Sequence, residues 1–261
     1  MSVVEITSNS NEKIKYFIKL VESSKQRREN GLFTAEGIRL CFDALLSGYE
    51  IKELFYTDRA MLKYGEKLSQ LYESAESRFN ITDGIAKKMS ETVNPQGVFC
   101  TVKIKEKMAS CIQKGKKYIA LDNIQTPDNL GAITRTAEAL GIDALIINGG
   151  CDIYNPKALR ASMGSLLRIP IIVTDNLKGF VDDTNNSGIN TYAAVPDADA
   201  EKITNIDFSS GAVVIIGNEG SGVSDEIKRR VYKNITIPMS GKAESLNAAA
   251  AAVVTMWEMI R

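Results

Sequence analysis

The second half of the chain alternates short apolar runs with helical patterns, and this alternation constrains the fold more than any other feature. A near-continuous apolar run of this length suits a strand that is covered on both faces, as in a mainly parallel sheet. We predict strands at 118–121, 144–147, 169–173, 191–195, 212–216 and 235–237, separated by helices at 129–140, 156–166, 225–231 and 244–260. The fold class is therefore α/β.

The residues before this alternation form a smaller α/β region. Apolar residues at helical spacing predict a first helix, with Ser10 or Asn11 as its N-cap. Strands at 32–34, 51–56 and 98–104 and helices at 38–46, 61–77 and 83–89 follow in the prediction. A charged, weakly apolar stretch then suggests a linker. We expect an N-terminal domain at 1–107, a linker at 108–117 and a C-terminal domain at 118–261.

The chain contains no histidine, and this removes several classes of enzyme. A Ser-His-Asp triad, a Cys-His dyad and a histidine zinc site all require that side chain. The four cysteines, Cys41, Cys100, Cys111 and Cys151, lie far apart without a close pair. Zinc modules usually use close pairs, so we expect buried reduced thiols and no metal.

The same composition bears on where the protein works. The first residues lack the apolar core of a signal peptide, and the longest mostly apolar stretch, 246–256, is too short to cross a bilayer. Reduced thiols also suit a reducing compartment. We therefore expect a cytoplasmic protein without a membrane partner.

Basic and acidic side chains balance at 32 each, but the balance is broken between residues 13 and 39. That stretch holds seven basic residues against three acidic ones. A solvated helix face explains such a run, and a surface that binds RNA phosphates explains it as well. The candidates for RNA binding are Lys13, Lys15, Lys25, Arg27, Arg28 and Arg39.

Three polar segments follow predicted strands, and ligands bind outside the carboxyl ends of strands in open α/β sheets. The first segment places Asn129 at a helix start and Arg135 in the second turn of that helix. The third places Ser245 and Asn247 at the opening of the last helix. Because the first amides of a helix lack partners, that opening can bind a polar ligand.

The second segment is rich in glycine. Gly217, Gly220 and Gly222 have the spacing G-x-x-G-x-G, which matches neither a dinucleotide fingerprint nor a phosphate-binding P-loop. Glycines there let the backbone approach a ligand closely. Glu219 lies among them, and a carboxylate at the end of a strand has no packing role. The segment is therefore a candidate site.

Taken in this order, the three segments resemble the motifs of the SpoU/TrmH branch of the SPOUT methyltransferases. The resemblance continues through 155–164 and 167–170, and the stretches 11–15, 27–39 and 94–97 resemble the family's substrate-binding extension. It implies a C-terminal trefoil-knotted, mainly parallel-sheet domain and a smaller N-terminal α/β RNA-binding domain. It also implies a homodimer that transfers a methyl group from S-adenosyl-L-methionine to a ribose 2′-hydroxyl of RNA.

The resemblance also implies roles for individual residues. The catalytic set is Arg135, Asn129, Glu219, Ser245 and Asn247, and the cofactor-binding set is Gly217, Ile237, Met239, Leu246 and Asn247. Arginine stays protonated in proteins, so it is a poor base. We expect Arg135 to hold a phosphate and to lower the pKa of the hydroxyl group. An activated methyl donor needs mainly alignment, which a chain without histidine can supply.

Three alternatives stay open at this point. Ribosomal RNA is favoured because relatives with this extension generally act on it, but transfer RNA is the alternative substrate. A non-catalytic RNA-binding protein on the same fold would be expected to lack Arg135, Glu219 or Asn247, and all three are present. A nucleotide-binding oxidoreductase would need G-x-G-x-x-G after its first strand, where Asp122 and Asn123 stand instead.

Overall fold

The structure, a computed structural model, describes residues 3–105 and 112–261, and these residues form two compact units. The first unit joins residues 3–105 to Asp152–Leu167, and the second contains residues 112–151 and 168–261. The segment Asp152–Leu167 therefore packs with the N-terminal part, although it lies within the predicted range 118–261. Of the predicted linker, residues 108–111 lie outside the described residues.

A five-stranded sheet forms the centre of the first unit. Its strands are β1 (Val4–Ile6), β2 (Leu32–Glu36), β3 (Ile51–Tyr56), β4 (Ser77–Ile81) and β5 (Val98–Lys103). Their order is β1-β4-β3-β5-β2, and β5 is antiparallel to both of its neighbours. The helices are α1 (Glu12–Glu22), α2 (Ser24–Asn30), α3 (Ile38–Leu46), α4 (Asp58–Ser74), α5 (Asp83–Met89) and, in chain order, α7 (Pro156–Ala161) and α8 (Ser165–Arg168).

Aromatic side chains fill the space between α1 and this sheet. Phe17 meets Phe55 and Phe99 edge to face at centroid distances of 5.7 and 5.8 Å, and Phe55 stacks on Phe79 at 5.0 Å. Such pairs add about 0.5–1.5 kcal/mol each beyond the burial of apolar area. The helix that carries Phe17 begins after Asn11, whose side chain accepts a hydrogen bond from Lys13 N. The predicted first helix is therefore confirmed, and its apolar side faces the core.

The second unit contains a seven-stranded sheet in which every pair of neighbours is parallel. Its strands are β6 (Lys117–Asp122), β7 (Ala144–Asn148), β8 (Ile171–Thr174), β9 (Thr191–Ala194), β10 (Glu201–Lys202), β11 (Ala212–Ile216) and β12 (Lys233–Thr236). The order is β10-β12-β9-β11-β6-β7-β8. All six strands predicted for this half are confirmed, and so is the α/β class. The trefoil knot stays a prediction.

The helices of the second unit are α6 (Pro127–Ala139), α9 (Leu177–Asn186), α10 (Asp225–Arg230) and α11 (Ala248–Ile260). Two predicted starts are corrected. Helix α6 begins before Asn129, with Thr126 as its N-cap, so Arg135 lies in the third turn and not the second. Helix α11 begins only after Asn247, so Ser245 lies in the preceding loop. The side chain of Asn247 accepts from Ala249 N and thereby fixes that start.

The described cysteines differ in burial. Cys41 and Cys100 are buried as expected, whereas Cys151 is half-buried and Cys111 lies outside the described residues. Burial raises the pKa of the Cys41 thiol.

Within residues 3–105 and 112–261, every helix is too short or too polar to cross a bilayer.

Candidate functional site

The Glu219 side chain joins the glycine-rich loop to the segment that precedes α6. Its carboxylate accepts hydrogen bonds from the backbone N–H groups of Gln125 (3.0 Å) and Thr126 (2.9 Å). A third bond comes from the Asn129 side chain, whose Nδ2 lies 2.9 Å from Glu219 Oε1. A negative charge at this position is also favoured by the dipole of the helix that begins there. One charged group therefore holds the loop against the start of α6.

The hydrogen bonds to Glu219 set its ionisation. Burial alone raises the pKa of this carboxyl group, but the bonds from Gln125, Asn129 and Thr126 outweigh burial and lower the pKa from 4.5 to about 2. The group is therefore ionised at neutral pH and accepts hydrogen bonds without donating any. A carboxylate with so low a pKa is a weak general base. Its hydrogen bonds hold the glycine-rich loop and the start of α6 in place.

Asn129 and Asn247 extend this network to α11. Asn247 Nδ2 donates to Asn129 Oδ1 at 3.2 Å, while Asn129 Nδ2 is occupied by Glu219. The side-chain oxygen of Asn247 accepts hydrogen bonds from the backbone amides of Ala249 and Ala250 in the first turn of α11. The structure thus brings Glu219, Asn129 and Asn247 together in one chain of hydrogen bonds. These three residues come from the three separate segments identified in the sequence.

The glycine-rich loop itself is held by Asn218. Its Nδ2 donates to the backbone oxygen of Asn123 at 2.8 Å, and its Oδ1 accepts from Gly220 N and Ser221 N. At Gly217, an added Cβ would lie 2.2 Å from the carbonyl carbon of Gly222. Only glycine fits there, because both sides of the turn are backbone.

A cleft of about 280 Å3 opens at this loop. Four segments form most of its walls: the end of β9, the glycine-rich loop, the segment after β12 and the start of α11. Met239 and Leu246 expose 36% and 39% of their surface, an apolar area next to polar backbone. The predicted site residues that line the cleft are Gly217, Glu219, Ile237, Met239, Ser245 and Leu246. Asn129, Arg135 and Asn247 are not among its walls.

Arg135 stands apart from the hydrogen-bonded network. It is exposed on α6, and none of the described residues forms a hydrogen bond or an ion pair with it. Helix α6 packs against α11, so Arg135 lies on the same layer of helices as Asn247. An exposed guanidinium without a carboxylate partner is available to a phosphate.

In the first unit, the assignment of Arg27 to RNA binding is wrong. Its side chain is only 3% exposed, and its Nε donates to Asp152 at 2.8 Å. Its Nη1 donates to the carbonyl oxygens of Leu20 and Val21. A buried guanidinium with these partners cannot reach a phosphate. It supports the fold by joining the end of α1 to the segment Asp152–Leu167.

The other five basic candidates remain accessible. Lys13 and Lys15 are about half exposed, at 50% and 49%, and lie 2.6 and 2.7 Å from a carboxylate. Lys25 and Arg39 are exposed by 75% and 65%, with carboxylates at 3.8 and 4.0 Å. Arg28 is exposed. Weakly paired surface charges are the ones that an RNA phosphate recruits at low cost.

Sequence reasoning missed several parts of the cleft. Ala194, Val195 and Pro196 form one wall at the end of β9. The rule that ligands bind at the carboxyl ends of strands points to that wall, since the strand was predicted. Lys228 also lines the cleft, and nothing in its sequence surroundings indicates this. No group of three or more His, Cys, Asp or Glu residues that could hold a metal occurs among the residues described.

A parallel α/β unit in which these three segments are joined by hydrogen bonds beside one cleft defines a class, the RNA ribose 2′-O-methyltransferases of the SPOUT type. The SpoU rRNA Methylase family matches residues 116–257, and an MRM3-like substrate binding domain matches residues 11–100. The chain belongs to the SpoU rRNA methylase family.

Individual relatives cover nearly the whole chain. The 23S rRNA (guanosine(2553)-2′-O)-methyltransferase RlmP of Bacillus subtilis is 32% identical over 98% of this chain and 98% of its own length. The 23S rRNA (uridine(2479)-2′-O)-methyltransferase of Streptomyces viridochromogenes is 26% identical over 93% and 87%. A crystal structure of an AdoMet-bound rRNA methyltransferase from Sinorhizobium meliloti is 30% identical, with a TM-score of 0.86 over 98% and 97% of the two chains.

S-adenosyl-L-methionine is the cofactor of this class, and the cleft fits it. A cofactor with an apolar ring face and several polar groups needs both kinds of wall. Ile237, Met239 and Leu246 offer the apolar walls, and the backbone around Gly217 offers donors and acceptors. A Cβ at Gly217 would clash with the backbone of Gly222, so the two sides of the loop lie in close contact there.

Proposed function

We propose that this chain methylates the 2′-hydroxyl of a nucleotide in 23S ribosomal RNA. The observation that carries the proposal is the chain of hydrogen bonds from Glu219 through Asn129 to Asn247 beside the cleft. It is supported by two 23S rRNA ribose methyltransferases that match along most of the chain, including its N-terminal unit. Transfer RNA is the alternative substrate. The cytoplasmic location stays a prediction.

In this proposal each site residue has a separate role. S-adenosyl-L-methionine, when bound, supplies a methyl group on a good leaving group. Arg135 holds the phosphate next to the target ribose, and its charge lowers the pKa of the 2′-hydroxyl. Glu219 and Asn129 fix the geometry of the loop and of α6, so that the reacting groups are aligned. Ser245 and Leu246 close the cleft on the side of α11.

The N-terminal unit supplies the affinity for RNA in this proposal. Phosphate contacts by Lys and Arg carry most of the sequence-independent binding to a nucleic acid. The exposed residues Lys25, Arg28 and Arg39 offer such contacts, with Lys13 and Lys15 as further candidates. A neutral chain can bind RNA in this way because only one face needs to be basic.

A homodimer completes the proposal. Val253, Val254 and Trp257 expose 38%, 36% and 56% of their surface on one side of α11. Residues three and four apart share a helix face, so the three side chains form a continuous apolar stripe. An exposed stripe of this kind is typical of a protein interface. We assign it to a second copy of the chain, as the family resemblance implies.

The decisive experiment maps 2′-O-methylation across cellular RNA with and without the gene. We expect one ribosomal nucleotide in the large subunit to lose its methyl group, and the purified protein to restore it on that RNA with S-adenosyl-L-methionine. Loss of a methyl group from a transfer RNA would favour the alternative substrate. If no nucleotide loses its methyl group, the enzymatic proposal is refuted and a non-catalytic RNA-binding role takes its place.

A further inference from the structure

A second cleft lies at the carboxyl ends of β6, β7 and β8, the three strands at one edge of the sheet of the second unit. Its volume is about 740 Å3, and it shares no lining residue with the cofactor cleft. We call it the base cleft. Its lining residues are Asn123, Asn148, Gly149, Val173, Thr174 and Asp175.

The base cleft presents polar groups whose hydrogen-bonding capacity is only partly used. Asn148 Nδ2 donates to Asp122 Oδ1 at 2.9 Å, which leaves Asn148 Oδ1 as an acceptor. Asn123 Oδ1 accepts from Gln125 Nε2 at 2.6 Å, which leaves Asn123 Nδ2 as a donor. Among the described residues, none forms a hydrogen bond or an ion pair with the exposed Asp175 carboxylate. These three side chains therefore offer two acceptors, one of them charged, and one donor.

The base cleft also contains an apolar surface in an unusual position. Val173 belongs to β8, the outermost strand of the sheet, and exposes 64% of its surface. Its neighbours in that strand, Ile171 and Ile172, are buried. Unpaired nucleobases are bound between apolar or aromatic side chains while polar groups read their edges. In the base cleft, Val173 supplies an apolar surface and Asp175 supplies a polar group beside it.

The position of the base cleft ties it to the network around Glu219. The backbone oxygen of Asn123 accepts from Asn218 in the glycine-rich loop at 2.8 Å. Two residues further along the chain, Gln125 N donates to Glu219. The end of β6 thus carries one wall of the base cleft and two of the bonds that fix the proposed reaction site. A nucleotide with its ribose at that site has the base cleft beside it.

We propose that the base cleft binds the nucleobase of the target nucleotide and selects guanine. Among the four RNA bases, only guanine carries two adjacent donors, N1–H and the 2-amino group, beside the acceptor O6 on its pairing edge. The Asp175 carboxylate matches the two donors, and Asn123 Nδ2 matches O6. This inference rests on the proposed function, because it places the target ribose at the Arg135 and Glu219 site.

The test uses the full-length protein and full-length 23S rRNA that lacks the modification. The rRNA is splint-ligated to carry either guanosine or inosine at the mapped position, since inosine lacks only the 2-amino group. Wild type is compared with Asp175→Asn, which removes the charge at an exposed position. Asp183→Asn is the matched control, because Asp183 is an exposed aspartate on α9 outside the cleft. Cofactor binding by calorimetry verifies that each variant is folded.

We expect the mapped nucleotide to be a guanosine, and inosine to lower kcat/KM of the wild type by roughly tenfold or more, because a charged acceptor loses its donor. Asp175→Asn should show a similar loss on guanosine RNA and little further loss on inosine RNA, whereas Asp183→Asn should match wild type. A mapped adenosine, cytidine or uridine refutes the inference, and so do independent losses from inosine and Asp175→Asn. Those results leave methyl transfer intact, whereas absence of any transfer by the wild type refutes the proposed function and the inference together.

Discussion

Glu219 shows how a single side chain can hold two segments of a site together. Its three donors all come from the segment Gln125–Asn129, so the carboxylate serves as a cap for the start of α6 supplied by a distant loop. Thr126, the N-cap residue, makes no capping bond with its own side chain. The loop therefore replaces a local cap, and the geometry of the loop and of the helix are coupled.

Replacement of Glu219 by Gln should reveal this coupling in the pH dependence of stability. The folded pKa is lowered from 4.5 to about 2, so the ionised group stabilises the fold above pH 4.5 and this contribution disappears as the pH falls through about 2. Thermal unfolding followed between pH 2 and 7 should show a gap between wild type and Glu219→Gln that closes towards acid. A gap that is constant with pH would contradict a role for the charge.

Arg135→Ala should abolish methyl transfer while cofactor binding is retained. Arg135 is exposed, lies outside the walls of the cofactor cleft and has no partner among the described residues that its loss would leave unpaired. Removal of one charged group that stabilises a developing anion costs roughly 100-fold or more in rate. Transfer of labelled methyl groups to rRNA and calorimetric titration with S-adenosyl-L-methionine measure the two effects.

Arg135→Lys serves as the matched control for that experiment. It keeps the positive charge but loses the planar fork that holds a phosphate at two points, so an intermediate rate is expected. Cofactor binding should be unchanged in both variants. If Arg135→Ala loses cofactor binding as well, the arginine supports the cleft and its assigned role is wrong.

At the scale of elements, strands with a continuous apolar run were predictable, and two strands with few apolar residues were not. The run Ala212–Ile216 is buried at every position, a pattern typical of a strand that is covered on both faces. The strands β1 and β4 were missed, and the predicted helix 61–77 ran into the start of β4. Val4–Ile6 is short, and Ser77–Ile81 mixes polar and apolar residues. Their strand conformation comes from pairing with neighbouring strands, β1 with β4 and β4 also with β3, which a local pattern does not contain.

The site was predictable where its function depends on side chains, and less so where it depends on backbone. The order of Asn129, Glu219 and Asn247 in three segments was visible in the sequence, and the structure joins them. The amides of Gln125 and Thr126 leave no trace in a sequence because every residue except proline carries one. The burial of the Arg27 side chain was not predictable, because nothing in the local sequence distinguishes Arg27 from the exposed Arg28.

The contact between α2 and the segment Asp152–Leu167 depends on Arg27. Removal of one partner from a buried ion pair costs about 3–5 kcal/mol. We expect Arg27→Ala to lower the free energy of unfolding by about that amount in urea titrations. Arg28→Ala, next in sequence but exposed, should change it by less than about 0.5 kcal/mol. Equal effects of the two variants would contradict the structural role of Arg27.

At the scale of the whole molecule, balanced charge and local basicity are compatible. The chain carries 32 basic and 32 acidic side chains. Many of the basic side chains form ion pairs with carboxylates of the same unit. In the proposed function, accessible groups such as Lys25, Arg28 and Arg39 contact the phosphates of the RNA. Binding to rRNA should therefore weaken with salt, but with a shallow slope that reflects a few phosphate contacts.

The oligomeric state is the last property that the exposed side chains predict. Trp257 is 56% exposed at the C-terminal end of the apolar stripe on α11, so Trp257→Glu would place a charge in the proposed interface at little cost to the monomer. Light scattering on a sizing column should give wild type and Trp257→Phe twice the chain mass of 28.6 kDa, and Trp257→Glu the mass of one chain. If the wild type runs as a single chain, or if Trp257→Glu remains dimeric with an unchanged unfolding temperature, this face of α11 is not the interface between copies.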